Sequence, residues 1–350
     1  MTLYGAIDAG YSDSSKTVAG VKEGQQAISF SNMSSTRFGL KGTEDLGQGM
    51  KANFVIETGI SSNPGSGFSA GATTAHSKAG TTLDATTVGS RELNASLQFG
   101  NTTVGAGYGG TAVRSIVLGY DAMGGTNFIG NTLTTDAQFS SNRATAIAFR
   151  HAVAKGFNVG GGLTRNIDTK DATTDVKTAT GYLVTADYTN GPLSLAGAYQ
   201  LSNTAVNAAG AVAQSDKDVM TTILGASYQL TGAKLFATYG SVKTEDDAAV
   251  NAAGEGKRTA YNIGVQVPYG AWTFAALYSG GKKSETFVAN NGNEDRNYTG
   301  YGLGARYALS KRTVAYVNYG QSKLAAGSVA ATYGSEVKNT QTAVGLLHNF

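Results

Sequence analysis

Few residues in this chain could carry out covalent or metal chemistry. There is no cysteine, which removes thiolate ligands, thiol nucleophiles and disulfide frameworks together. The three histidines, His76, His151 and His348, are scattered over a connection, a strand end and the terminus, so neither a metal site nor a Ser-His-acid triad has a basis. Gly160-Gly161-Gly162 sits in a strand pattern and serves close backbone packing. Gly105-Ala106-Gly107-Tyr108-Gly109-Gly110 is followed by no helical pattern, so it is not a dinucleotide fingerprint. No catalytic residue, metal or cofactor is assigned, and the chain reads as something other than an enzyme. What remains is fixed charge. Arg37 alternates with Phe38 and Leu40 and so faces away from the apolar side of its segment, while Glu57 sits opposite Phe54 and Ile56 in the same way. Arg114 and Asp121 lie in a long break in the pattern, where Arg114 can either point into an enclosed space or pack against a wall.

The elements that position these charges are strands. Over Thr2 to Ser12, Leu3, Gly5, Ile7, Ala9 and Tyr11 share one face, with Tyr4, Ala6, Asp8, Gly10 and Ser12 on the other. A polar stretch around Ser14 to Gln25 precedes a second strand through Thr36 to Lys41, and Glu44 to Gly49 reads as a glycine-rich turn. The third strand sets Ala52, Phe54 and Ile56 against Lys51, Asn53 and Glu57. Tight turns follow at Gly100-Asn101, Lys155-Gly156, Asn190-Gly191, Thr231-Gly232, Tyr269-Gly270 and Ser310-Lys311. Between them lie longer polar connections near Ser61 to Thr87, Asp168 to Lys177, Asn203 to Lys217, Thr244 to Gly256, Lys282 to Asp295 and Leu324 to Lys338. Counting strands between the breaks gives about sixteen, an even number that suits an antiparallel transmembrane barrel.

Composition agrees with that architecture. The 350 residues include 48 Gly and 18 Tyr but only 3 Pro, and no run approaches the roughly 18 to 20 apolar residues of a membrane helix. A membrane crossing must then be made by strands. Ile263, Val265 and Val267 between Tyr261 and Tyr269 place aromatics at the ends of an apolar face, while Asn262, Gly264 and Gln266 opposite suit water. A net charge of +3 without a dense basic run excludes a nucleic-acid partner. Short turns on one rim and long connections on the other are what a barrel shows, and closure requires the last strand to pair with the first. No leader precedes Thr2, so the chain starts where a mature exported protein would start.

The longest break, Tyr108 to Asn142, carries paired glycines at Gly109-Gly110 and Gly124-Gly125 and an acid, Asp121, beside Tyr120. A loop of this length is functional or disordered. The stretches TLYGAIDAG at Thr2 to Gly10, STRFGLKGTEDLGQGMKANF at Ser35 to Phe54 and VGLLHNF at Val344 to Phe350 resemble the trimeric sixteen-stranded general porins of β-proteobacteria and Neisseria, and a chain ending on Phe350 resembles the outer-membrane assembly signal. The resemblance implies an all-β fold: one antiparallel barrel over residues 1–350, with a third external loop, about 109–141, folded inward as a constriction. It further implies a homotrimer in the outer-membrane lipid of a Gram-negative bacterium, passing small hydrophilic solutes and ions with a modest preference for anions.

By the same resemblance Arg37, Arg91 and Arg143 correspond to constriction arginines, and Tyr120-Asp121 to a Tyr-Asp pair on the inserted loop. Asp121 and Glu57 are then the facing acids. Strand parity opposes two of these assignments, because Arg91 is in phase with Leu93 and Leu97, and Arg143 with Ile147 and Phe149. A bulge, or a position above the membrane, is needed to turn them inward. The closing strand departs from the family pattern, with Leu347 before His348 where an arginine is common. The alternatives are a substrate-selective porin with a solute-binding constriction, and a plugged structural or enzymatic barrel.

Overall fold

The computed structural model describes residues 1–60, 88–124, 130–135, 139, 143–165, 169–170, 175–176, 180–206, 215–246, 256–287, 292–326 and 335–350. His76, the connection near Ser61 to Thr87 and the middles of the other long connections lie outside the described residues.

The first half of the barrel comprises β1 (Thr2–Val18), β2 (Val21–Phe30), β3 (Arg37–Gly47), β4 (Met50–Gly59), β5 (Glu92–Phe99), β6 (Thr102–Gly110), β7 (Arg143–Ala154) and β8 (Phe157–Arg165). A separate small hairpin, β9 (Thr169–Lys170) and β10 (Asp175–Val176), intervenes. The second half comprises β11 (Thr180–Asn190), β12 (Leu193–Val206), β13 (Ser215–Gln229), β14 (Lys234–Asp246), β15 (Gly256–Tyr269), β16 (Trp272–Phe287), β17 (Gly292–Ala308), β18 (Thr313–Leu324) and β19 (Val337–Asn349). All neighbouring pairings are antiparallel, and β19 pairs with β1 from Ala6↔Asn349 to Val18↔Val337, which closes the sheet. Closure removes the unpaired edge that hydrocarbon cannot solvate.

Seventeen strands make sixteen staves because β2 and β3 lie end to end beside β1. Ala9 to Val18 pair with β2, and Thr2 to Ala6 pair with β3. The six residues between them, Ser31–Thr36, leave the ladder.

The six tight turns expected from sequence all lie where the structure joins strands on one rim. The polar stretch around Ser14 to Gln25 is not a connection: β1 and β2 continue through it and turn at Ala19-Gly20. In the same way β12, β13, β14, β15, β16 and β17 extend into segments that read as long connections. Ladder hydrogen bonds continue beyond the apolar belt, where both strand faces meet water and no hydrophobic period marks them.

The outer face is an apolar belt. Ile263, Leu303 and Val344 are each more than half exposed, and Trp272 stacks at 5.9 Å on Phe274 and meets Tyr307 at 4.8 Å between ring centres. A continuous belt of this kind far exceeds the apolar patches that a water-facing protein carries. Many of the alternate residues are polar or small, and two of the three clusters of buried apolar side chains form where the chain between β6 and β7 meets them.

That chain enters α1 (Ala112–Gly119) and later α2 (Thr132–Thr135). Val113, Ile116 and Val117 of α1, with Leu133 and Phe139, pack on Ala198, Ile223, Val242 and Ala260 from β12 to β15. Ala122 and Met123 pack on Phe236, Ala275 and Leu277. Every one of these wall residues alternates with exposed belt residues such as Leu224, Tyr239, Tyr261 and Tyr278.

Polar contacts follow the same line. Ser194 meets the Tyr120 hydroxyl at 2.9 Å, Thr238 donates to the Tyr120 carbonyl at 3.0 Å, and Gln266 to the Ala122 carbonyl at 2.5 Å. Ser279 donates to the Gly130 carbonyl at 2.8 Å. The fit is close enough to require glycine beneath it. A Cβ on Gly225 would lie 2.5 Å from Tyr120 Cδ2, and one on Gly240 would lie 2.6 Å from Phe139 Cε1.

Candidate functional site

The charged residues picked out in the sequence meet where five elements end at one level. Arg37 opens β3, Glu57 lies near the end of β4, Arg91 immediately precedes β5, Arg143 opens β7 and Arg114 projects from α1. Glu57 sits beside Gly39 on one side and Glu92 on the other in the sheet register. Its face alternates with exposed Phe54, so it lies on the inner wall, and the whole residue is 8% exposed.

Glu57 joins two guanidinium groups. Arg91 Nε is 2.6 Å from its Oε1 and Arg37 Nε is 3.4 Å from its Oε2, while the Tyr4 hydroxyl donates to Oε2 at 3.0 Å. Arg37 also donates through Nη1 to the Ser35 carbonyl at 2.7 Å and to Ser34 Oγ at 3.0 Å. Glu92, next in sequence to Arg91, accepts the Gly110 N–H at 3.2 Å and an Asn94 side-chain N–H at 3.2 Å.

Arg114 and Arg143 complete the group, each within electrostatic reach of Arg91, Glu57 and Glu92. Burial, followed by repulsion from Arg143 and Arg91, pushes the Arg114 guanidinium down to about 10, which still leaves it charged at neutral pH. Four guanidinium groups thus face two carboxylates. Such an excess on a low-dielectric wall attracts small anions and repels cations.

Arg91 precedes the first residue of β5 and is not bound by its alternation, whereas Arg143 is the outermost residue of β7, opposite Gly110 and in phase with exposed Ile147 and Phe149. Asp121 is placed differently from its expected role. It is 2% exposed, accepts the Met123 N–H at 2.9 Å, and has the Arg306 guanidinium beside it, which also donates to the Met123 carbonyl. Its carboxylate therefore holds the segment to the wall and does not front the arginine cluster. Leu347 faces inward as alternation requires, and packs with Ala6, Met33, Tyr316 and Ala343.

Sequence reasoning missed Glu92, Asp8 and Arg306. Glu92 was within reach of it, since Asn94, Ser96 and Gln98 share its polar face. Nearer the short-turn rim Arg150 pairs with Asp187 at 2.7 Å, and Asn158 donates to the same carboxylate at 2.8 Å. Among the described residues no group of three or more His, Asp or Glu side chains could hold a metal.

A closed antiparallel barrel with an apolar exterior, a largely polar interior and a cluster of charge on its inner wall defines a membrane channel. The chain matches the Gram-negative porin family over residues 1–327 and belongs to it. It is 28% identical to an outer membrane porin protein of Bordetella pertussis, over 100% of this chain and 94% of that one. It is also 28% identical to outer membrane porin protein 32 of Delftia acidovorans, over 97% and 87%. Among solved structures it resembles an anion-selective porin from Comamonas acidovorans, with a TM-score of 0.70 and 26% identity over 100% of this chain and 99% of that one. The protein is an outer-membrane porin, a channel resident in the outer membrane of a Gram-negative bacterium.

Proposed function

We propose that this porin passes small hydrophilic solutes passively and prefers anions, with the segment at about 109–141 folded inward as the constriction and with Arg37, Arg91, Arg114 and Arg143 lining it. The observation that carries this reading is the imbalance of four guanidinium groups over two carboxylates on the inner wall. It is reinforced by the burial of Asp121, the one carboxylate among the described residues of the segment. The similar porin from Comamonas acidovorans is described as anion-selective, which supports the same sign. The solutes leave chemically unchanged, and three copies assemble in the membrane as is usual for this family.

The test is the zero-current potential of purified channels in a planar bilayer under a salt gradient. Anion preference in the wild type is expected, and Arg37→Ala moves the potential toward cations. A cation-preferring wild type overturns the reading, and an Arg37→Ala channel with unchanged potential removes Arg37 from it. Conductance closing in three coupled steps supports the trimer.

A further inference from the structure

Arg37 is held chiefly by the short segment that interrupts the second stave. Its contacts to the Ser35 carbonyl at 2.7 Å and Ser34 Oγ at 3.0 Å are shorter than its 3.4 Å approach to Glu57. Glu57, on the adjacent strand, is therefore the looser partner.

What fixes the segment is Asp8. It is 0% exposed, and its Oδ2 accepts the backbone N–H groups of Met33 at 2.5 Å and Ser34 at 2.6 Å, while its Oδ1 accepts the Tyr316 hydroxyl at 2.6 Å. The Asp8 backbone N–H donates to Thr36 Oγ1 at 3.1 Å, its carbonyl accepts the Ser31 N–H at 3.0 Å, and Ser31 Oγ accepts the Thr36 N–H at 2.8 Å. Both ends of the excursion are thereby tied to one residue of β1. Ser31 adopts a φ of +66°, a left-handed conformation that a serine keeps only when its surroundings impose it. Beneath the excursion Met33 seats on Ala6, Tyr316, Ala343 and Leu347, so the leucine that stands in place of a family arginine supplies an apolar floor.

We propose that Asp8 is a positioning residue for Arg37, acting through the inward excursion Ser31–Thr36, so that a buried negative charge sustains the preference for anions. The inference rests on the anion-preferring reading above. Its sign is opposite to that of a simple charge effect. If Asp8 acted only as a negative charge in the lumen, removing it would raise anion preference. If it positions Arg37, removing it frees the Ser34 and Ser35 acceptors and lowers anion preference.

The experiment compares zero-current potentials of Asp8→Ala, Asp8→Asn and Ser34→Ala, with Asp8→Ala also made in an Arg37→Ala background. Asp8→Ala is expected to produce most of the Arg37→Ala shift toward cations, and to add little further shift once Arg37 is gone. Asp8→Asn, which keeps an acceptor oxygen and the volume, recovers part of the loss. A rise in anion preference with Asp8→Ala, equal to that with Asp8→Asn, overturns the proposal. So does an Asp8→Ala shift that is undiminished in the Arg37→Ala background. Ser34→Ala removes only a hydroxyl and keeps the test available if Asp8→Ala does not assemble: it shifts the potential partway toward cations, and no shift overturns the proposal. A normal Arg37→Ala response with no Asp8 response sinks this inference alone, whereas a cation-preferring wild type sinks the reading beneath it.

Discussion

Glu57→Gln tests the electrostatics of the arginine cluster most directly, because it changes charge while keeping size. The substitution leaves four guanidinium groups facing one carboxylate, raising the net positive charge of the patch from two to three. The glutamine amide oxygen can still accept from Arg91, which lies 2.6 Å from the wild-type carboxylate. For an ion about 8 Å away in water, one unit charge is worth about 0.5 kcal/mol, and screening near 0.1 M salt roughly halves it. The remaining quarter of a kcal/mol or so acts with opposite sign on anion and cation, so their permeability ratio changes by a factor of about 2 in favour of anions. The assay is the zero-current potential under a salt gradient near that ionic strength, repeated at higher salt, where the difference shrinks. A shift toward cations, or a difference that does not fall with salt, would refute the reasoning. The first outcome would mean that Glu57 matters more as a clamp on Arg37 and Arg91 than as a charge.

Because the cations of this cluster are all arginines, anion preference is expected to stay flat from about pH 6 to 9 and to fall only as the pH rises through the lowered value of Arg114, about 10. Arg114→Ala removes the alkaline fall, and a step near neutral pH would count against the cluster. Gly225→Val drives a side chain into Tyr120 Cδ2, 2.5 Å from the position of the added Cβ, and into Ile116 Cγ2 at 2.9 Å. Overpacking of this kind costs about 1–3 kcal/mol. The expected result is an α1 segment lifted from the wall, read as altered single-channel conductance and faster proteolysis near Tyr120, with the barrel still closed.

Alternation along β1, β3, β4 and β19 was enough to tell which side chains leave the apolar belt. It placed Arg37 and Glu57 on the polar face, and the structure agrees at both. It bears less on Arg91, which stands before the first residue of β5, and on Arg143, which is the first residue of β7. The strand ends above the belt were equally hard to read, because residues wetted on both faces carry no period.

The sequence by itself determined the barrel, its short-turn rim and the inner or outer side of residues within strands. Those properties follow from a repeat of two residues and from the demand that every backbone amide in hydrocarbon be paired. Only the tertiary structure decided which charges meet. Arg37, Glu57 and Arg91 are separated by long stretches of chain, yet sheet register brings both guanidinium groups within 4 Å of the Glu57 carboxylate. Asp121, next to Tyr120 in the segment between β6 and β7, lies beside Arg306 of β17, almost two hundred residues on. Register and docking join residues distant along the chain, and no local pattern records the distance between two such side chains.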